Sequence, residues 1–121
     1  MQSQQMKPVF WVGDAKKRLS EFPAEVQNEI GSILQRVQWG ETPRKTKPLR
    51  GFSGVYEIVS HHNRGTYRAI YAVNLGDLIY TLHCFQKKSK FGIKTPKRDI
   101  DLIRRRLNRA QEHALQENEN E

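Results

Sequence analysis

The sequence predicts an α+β fold with the element order β-α-α-β-β-β-α. Apolar residues recur every three or four positions in two separate stretches, which is the period of an amphipathic helix. Between these stretches lie three apolar runs joined by short turns, as in an antiparallel sheet. With 121 residues the chain is long enough for one domain. We expect a flexible leader over residues 1–7, the domain over 8–111 and a flexible acidic tail over 112–121.

The N-terminal part of the chain predicts one strand followed by two helices. Residues 8–12 are apolar and aromatic, which suits a first strand. Gly13 and Asp14 then offer a turn and an N-cap for a short helix. Pro23 suits the first position of a second helix that ends before Gly40. Its apolar stripe consists of Val26, Ile30, Ile33, Leu34 and Val37. The two helices form a hairpin whose apolar side must pack on another layer.

A basic loop separates the helices from the sheet. Residues 41–51 contain two prolines and four cations, namely Arg44, Lys45, Lys47 and Arg50. The segment is either a solvated linker or a loop that contacts phosphates.

The three apolar runs after this loop predict the centre of the sheet. The first is 55–60, and residues 61–65 form the turn that follows it. The next two lie in the stretch from Tyr67 to Lys88 and make a hairpin, which the turn residues Asn74–Asp77 divide. Short connections of this kind imply antiparallel pairing.

A last amphipathic helix is predicted after a second basic loop at 87–97. Thr95 suits its N-cap and Pro96 its first position. The apolar stripe consists of Ile100, Ile103, Leu107, Ala110 and Ala114. The arginines at 104, 105, 106 and 109 fall mostly off the stripe, and we expect those at 104–106 to face solvent or RNA.

Charge is the most informative bulk property of the chain. The formal net charge is +8, yet the last ten residues hold four glutamates and no lysine or arginine. Residues 1–111 therefore carry 21 cations against 9 carboxylates, a net charge of +12. A body this basic attracts polyanions, with nucleic acid as the leading candidate. The alternative is a basic surface with no role in nucleic-acid binding.

Several classes of function find no support in the sequence. Cys84 is the single cysteine, so an internal disulfide is impossible and the chain fits a reducing compartment such as the cytoplasm. We find no membrane-spanning run, no metal-ligand spacing and no glycine-rich phosphate loop. We expect no cofactor and no metal. Glu57 and Asp77 are the few carboxylates near the hairpin, which argues against catalysis by paired carboxylates.

The cations of the sheet are compatible with RNA cleavage. RNA carries its own nucleophile, the 2′-OH, so cleavage needs a base, a proton donor for the leaving oxygen and positive charge at the phosphate. Arg68, His83, Lys87 and Lys88 are the candidate catalytic residues. RNA contacts are expected from Arg44, Lys45, Lys47, Arg50, Lys90 and Lys94, with base stacking on Phe85.

Each catalytic candidate also has a structural alternative. Arg68 is placed to form an ion pair with Glu57 on the neighbouring strand, and His83 suits a buried position in a strand. Lys87 and Lys88 alternate faces of an extended chain, so one of them is expected to face solvent. The same cationic set also suits a binding protein without catalysis.

Two segments resemble the RelE/ParE toxin superfamily, and most closely its HigB-like, phage-derived branch. They are GVYEIVSHHNRGTYRAIYAV at 54–73 and LHCFQKKSKFGIKTPKRDIDLIRRRL at 82–107. The matching features are Gly54 to Glu57, Tyr67-Arg68, the Phe-x-Lys-Lys of 85–88 and the Lys-Thr-Pro of 94–96. The resemblance covers residues 8–110.

The resemblance implies a toxin of a type II toxin–antitoxin pair, with a helical hairpin against a twisted antiparallel sheet and a C-terminal helix. Ribonuclease members enter the ribosomal A site and cut mRNA there, whereas ParE-like members inhibit gyrase. The implied partners are a helix-turn-helix antitoxin, the ribosome and mRNA. Two positions depart from the family pattern. Val59 stands where many members have arginine, and the late tyrosine of some ribonuclease members has no counterpart.

Overall fold

The computed structural model describes residues 5–87 and 95–119 and confirms the α+β class. The strands are β1 (Val9–Trp11), β2 (Thr46–Pro48), β3 (Val55–His62), β4 (Gly65–Leu75) and β5 (Leu78–Lys87). The helices are α1 (Ala15–Ser20), α2 (Ala24–Gln38) and α3 (Lys97–Glu119). The predicted elements follow one another in the predicted order, with β2 as an addition.

The strands form one sheet in the order β1-β5-β4-β3-β2. The pairs β2–β3, β3–β4 and β4–β5 are antiparallel, whereas β1 runs parallel to β5. The prediction of a loop over residues 41–51 is therefore wrong for β2. Three residues that include Pro48 carry no periodic signal, and a proline is tolerated there because β2 lies at the edge of the sheet.

Both faces of the sheet are covered by helices. The predicted stripe of α2 is buried against Ile58, Ala69, Tyr71, Ile79 and Cys84 on one face. On the other face, Ile103, Ala110 and Ala114 of α3 pack against Val55, Ile70, Ala72, Tyr80 and Leu82. We call these the α2 face and the α3 face. Because each helix needs a partner for its apolar stripe, the two predicted stripes account for the two layers.

A register shift in β5 decides which side chains reach the α3 face. Ile70 pairs with His83 and Tyr71 with Thr81, so Leu82 is an extra residue on β5. This is the arrangement of a β-bulge, which interrupts strict alternation. Leu82 and His83 consequently both lie on the α3 face, and Phe85 and Lys87 follow them there.

Arg106 joins the start of α1 to the middle of the sheet, which corrects the prediction that this arginine faces solvent or RNA. It is buried, and it donates to the carbonyl oxygen of Leu82 at 2.8 Å and to Asp14 Oδ1 at 2.6 Å. The hydrogen bond from Arg106 holds the pKa of Asp14 below its usual value. Arg106 lies three residues after Ile103 and four before Ala110, so it belongs to the buried stripe despite its charge.

The C-terminal helix is longer than the sequence predicts. A flexible tail is expected from residue 112, whereas α3 continues to Glu119. Ala114 is buried on the sheet, and the Nδ1 atom of His113 lies 2.8 Å from the Tyr80 hydroxyl. These contacts hold the last turns in helical form. Within the part of the chain that the structure describes, no helix has the length and apolar content to cross a membrane.

Candidate functional site

Four charged side chains come together on the α3 face near the end of β5, beside the first turn of α3. We call Lys47, Glu57, Arg68 and Lys87 the ionic cluster. Cross-strand pairing sets their positions: Lys47 is opposite Glu57, Arg68 is opposite Phe85 and Lys87 is opposite Thr66. Arg68 lies two residues along β4 from Ile70, the partner of Glu57, so the two charges are diagonal neighbours.

Glu57 holds the cluster together. Arg68 Nη1 donates to Glu57 Oε2 at 2.6 Å, and Lys47 Nζ lies 3.4 Å from Glu57 Oε1. The side chains of Arg68 and Glu57 are 8% and 6% exposed, whereas that of Lys47 is 55% exposed. Arg68 and Glu57 thus form a buried ion pair, and Lys47 contacts Glu57 from the solvent side. This is the alternative that the sequence offered for Arg68.

Two polar atoms of the cluster are buried without a hydrogen-bond partner among the described residues. They are Nε of Arg68 and Nζ of Lys87. Burial lowers the pKa of Lys87, and the guanidinium of Arg68 lowers it further, while Glu57 opposes the shift. An unsatisfied buried donor is costly, and such groups in native proteins concentrate at functional sites. Arg68 and Lys87 therefore each carry a buried N–H donor that no described residue uses.

His83 and Phe85 lie on the same face but inside the core. His83 Nε2 is 2.8 Å from Asp99 Oδ1 in α3, and burial lowers the pKa of the imidazole against the opposing effect of Asp99. The rings of His83 and Phe85 stack at 4.9 Å between centroids with an interplanar angle of 17°. Phe85 is 3% exposed and belongs to the core on the α3 face, so its ring is not open for base stacking in this structure.

The predicted basic loop contributes side chains to one groove. Arg44, Lys45, Lys47 and His61 line a cavity of about 330 Å³ along β2 and the end of β3. Lys45 Nζ is held by Glu29 of α2 at 2.6 Å, which lowers the pKa of that glutamate. The groove joins the ionic cluster at Lys47, which belongs to both.

Not every predicted RNA contact joins this surface. Arg50 is exposed but lies beyond the other end of β2, away from Arg44 and Lys45. Lys88, Lys90 and Lys94 lie outside the described residues.

Two features of the site could not be found in the sequence. Asp99 is the partner of His83, and the two residues are 16 positions apart on different elements. Lys47 completes the cluster only because β2 pairs with β3, and β2 gave no strand signal. Glu57 offered a clear signal, since it is the single carboxylate of an apolar strand that neighbours Arg68.

No metal centre is found in the part of the chain that the structure covers. Over residues 5–87 and 95–119, no three histidine, cysteine, aspartate or glutamate side chains gather where they could hold an ion. Cys84 is buried on the α2 face, and burial raises the pKa of its thiol to about 12. A thiol held protonated in this way is a packing group.

A family model places the chain among known sequences. The model described as phage-derived protein Gp49-like (DUF891) matches residues 17–108, which include every element from α2 to β5. The chain belongs to the Gp49-like family. The matched range also contains the ionic cluster and Asp99, so the site lies within the part that defines a Gp49-like protein.

Structural similarity was found to a toxin–antitoxin complex, RelBE2 from Mycobacterium tuberculosis. The matched chain is 21% identical in sequence, and the TM-score is 0.46. The match covers 100% of that chain and 69% of this Gp49-like chain. No curated protein matches the sequence.

Proposed function

We propose that this Gp49-like protein is the toxin of a type II toxin–antitoxin system and acts as a ribosome-dependent endoribonuclease. It cleaves translated mRNA in the cytoplasm and thereby inhibits translation. The observation that carries the proposal is the ionic cluster, in which Arg68 and Lys87 carry buried donors without a partner among the described residues, and Lys87 also lines a cavity at the edge of the sheet. The resemblance of residues 54–73 and 82–107 to the HigB-like branch of RelE/ParE toxins supports it, and the family match covers both segments up to residue 108.

The cluster suits cleavage by the 2′-OH of the RNA. The 2′-oxygen attacks the phosphorus, its proton passes to a base, the bond from phosphorus to the 5′-oxygen breaks, and that oxygen takes up a proton. The products are a 2′,3′-cyclic phosphate and a 5′-hydroxyl. Arg68 holds the phosphate oxygens and stabilises the added negative charge, as a planar guanidinium does best. Glu57 orients Arg68 through the 2.6 Å ion pair.

Lys87 is our candidate for proton transfer or charge neutralisation. Its lowered pKa brings the amine closer to the range in which lysine exchanges protons near neutral pH. Lys88 is the other lysine that the sequence makes a candidate, and it lies outside the described residues. We assign His83 to positioning, because its side chain is 3% exposed and its Nε2 atom lies 2.8 Å from Asp99 Oδ1.

Primer extension on mRNA from cells induced to express the protein tests this function. Cuts at codon boundaries support the proposal, whereas DNA damage with intact mRNA indicates a gyrase inhibitor. Ribosome binding without cuts or DNA damage indicates a non-catalytic RNA-binding module.

Arg68→Lys is the informative variant, because it retains a cation for Glu57 while removing the bidentate fork. We expect cleavage to fall at least about ten-fold. Arg109→Lys, at an exposed position of α3, is the matched control. Equal cleavage by Arg68→Lys and Arg109→Lys would remove Arg68 from the site.

We also propose a helix-turn-helix antitoxin as the partner, encoded next to this gene. It should be acidic where it meets the basic body, because complementary charge speeds association. Co-expression of the neighbouring reading frame should abolish toxicity and co-purify with the toxin. A neighbour without effect on toxicity would contradict this partner.

A further inference from the structure

A cavity of about 480 Å³ opens at the edge of the sheet beside the ionic cluster. It lies between the end of α1, the end of β5 and the start of α3. Lys87 lines this cavity and also faces Arg68, so the cavity is continuous with the place where we put the scissile phosphate. Its size is within the range of sites that bind small molecules.

Aromatic rings form part of the cavity wall, and both are held in place by other rings. Phe22 lies 4.9 Å from Tyr67 between ring centroids, and Phe85 stacks on His83 at the same distance. Phe85 is 3% exposed and remains part of the core, so Phe22, which is half-buried, is the ring whose flat face suits a nucleobase.

The polar part of the wall combines one carboxylate with several cations. Glu21 is exposed and has no ion-pair partner among the described residues. Asp99 also lines the cavity, but His83 occupies one of its oxygens at 2.8 Å. Arg18 makes a single long bond from Nε to the Cys84 carbonyl at 3.5 Å, and Arg98 is exposed. Among the described residues, the cavity thus offers the carboxylate of Glu21 without an ion-pair partner, the Nη donors of Arg18 and the guanidinium of Arg98.

We propose that this cavity is a base subsite that takes a guanine adjacent to the scissile phosphate, with Glu21 as the residue that determines specificity. Guanine carries two neighbouring N–H donors, N1 and N2, which match the two oxygens of a carboxylate. It also carries the O6 and N7 acceptors, which an arginine binds in bidentate fashion. Adenine, cytosine and uracil lack both of these pairs. The inference rests on the proposed function for the neighbouring phosphate position.

Binding of two short single-stranded RNAs tests the subsite directly. The RNAs have equal length and differ at one position, guanine in one and adenine in the other, and their affinities are measured by fluorescence anisotropy at fixed salt. The unmodified protein should bind the guanine RNA roughly ten-fold more tightly, as expected for one bidentate base contact.

Glu21→Gln should abolish this preference or reverse it, because a glutamine amide pairs with N6 and N7 of adenine. The matched control is Glu112→Gln, which removes the same charge from an exposed position of α3. Glu112→Gln should retain the preference for guanine. An unchanged guanine preference in Glu21→Gln, or no preference in the unmodified protein, would overturn the proposal.

Mapping of cuts in cells separates this inference from the proposed function. If mRNA is cut and Glu21→Gln leaves the base composition at the cut sites unchanged, the subsite is wrong and the function stands. If no mRNA is cut but Glu21→Gln alters base preference in binding, the subsite stands and the nuclease proposal fails.

Discussion

Glu57 and Arg68 place two opposite charges inside an otherwise apolar sheet, which makes their removal costly from either side. Arg68→Ala leaves a buried carboxylate whose remaining partner among the described residues is Lys47 at 3.4 Å. We expect it to lower the free energy of unfolding by about 3–5 kcal/mol, as for other broken buried pairs. The double variant Glu57→Ala with Arg68→Ala should lose less than the sum of the single variants. Urea denaturation of the four proteins measures this, and additive losses would contradict a coupled pair.

Lys87 is expected to support cleavage while lowering the free energy of unfolding. The folded pKa of Lys87 lies below its ordinary value of 10.5, so the unfolded chain binds more protons between the two pKa values. Stability therefore rises with pH through that window, and the full cost of the buried charge is present below it. Lys87→Met should raise the free energy of unfolding at pH 7 by about 1–3 kcal/mol while reducing cleavage.

Urea denaturation at pH 7 and pH 10 tests the effect of Lys87→Met. The gain in stability should shrink at pH 10, because part of the buried amine is then already neutral and its burial costs less. Lys16→Met, at an exposed position of α1, is the control and should show no such pH dependence. A Lys87→Met protein that is less stable than the unmodified one at pH 7 would contradict an unsatisfied ammonium.

At the residue scale, sequence reasoning found the candidates whose signal is local. Arg68 and Lys87 are cations in apolar strands. The desolvation cost of a charge in such a strand identifies them as candidates. Asp99 carries no comparable signal, because a charged residue in the first turn of a helix is ordinary. Its role depends on where α3 docks on β5, which is a tertiary property.

The contact between the start of α1 and Arg106 of α3 depends on Gly13, which has no side chain. Gly13 has φ of 56°, and a Cβ atom there would lie 2.8 Å from Nη2 of Arg106. Gly13→Ala should therefore cost backbone strain and also displace the buried guanidinium, by about 2–4 kcal/mol in total.

Gly40→Ala is the matched control for this contact, because Gly40 has φ of 91° but open space around it. Gly40→Ala should therefore lose stability only through backbone strain. The difference in melting temperature between the two variants then measures the effect of the contact with Arg106. Equal losses would mean that Arg106 moves aside freely.

At the element scale, the long periodic segments were predictable and the short or irregular ones were not. The stripe of α2 was predicted correctly, because 15 residues give several turns of signal. β2 has three residues, and the bulge at Leu82 is one extra residue in β5. The parallel pairing of β1 with β5 is set by the path of the chain through two helices, which no local pattern records.

The whole molecule is expected to bind RNA with a marked salt dependence. Residues 1–111 carry a net charge of +12, and the logarithm of affinity should fall with the logarithm of salt at about −0.7 per phosphate contacted. Lys45→Gln should reduce this slope by about 0.7 in magnitude without altering single-turnover cleavage of bound RNA.

Lys47→Gln is the contrasting variant, because Lys47 contacts Glu57 within the ionic cluster although it lies in the same loop. It should reduce single-turnover cleavage as well as binding. Titrations of ribosome binding at several salt concentrations, with cleavage assayed in parallel, compare the two lysines. If both variants lose binding and cleavage in the same proportion, the cations act as one undifferentiated surface.

The two-faced sheet also fixes how tolerance to substitution should be distributed along β4 and β5. Side chains at 66 and 68 face the ionic cluster, while those at 67, 69 and 71 face α2. A library that covers all substitutions should therefore show an alternating phenotype along β4. Substitutions at positions that face the ionic cluster should let cells survive because toxicity is lost while the protein stays soluble. Substitutions at positions that face α2 should instead reduce the amount of soluble protein. Along β5 the alternating pattern should shift by one position at Leu82 and His83. Growth selection alone would then detect the β-bulge.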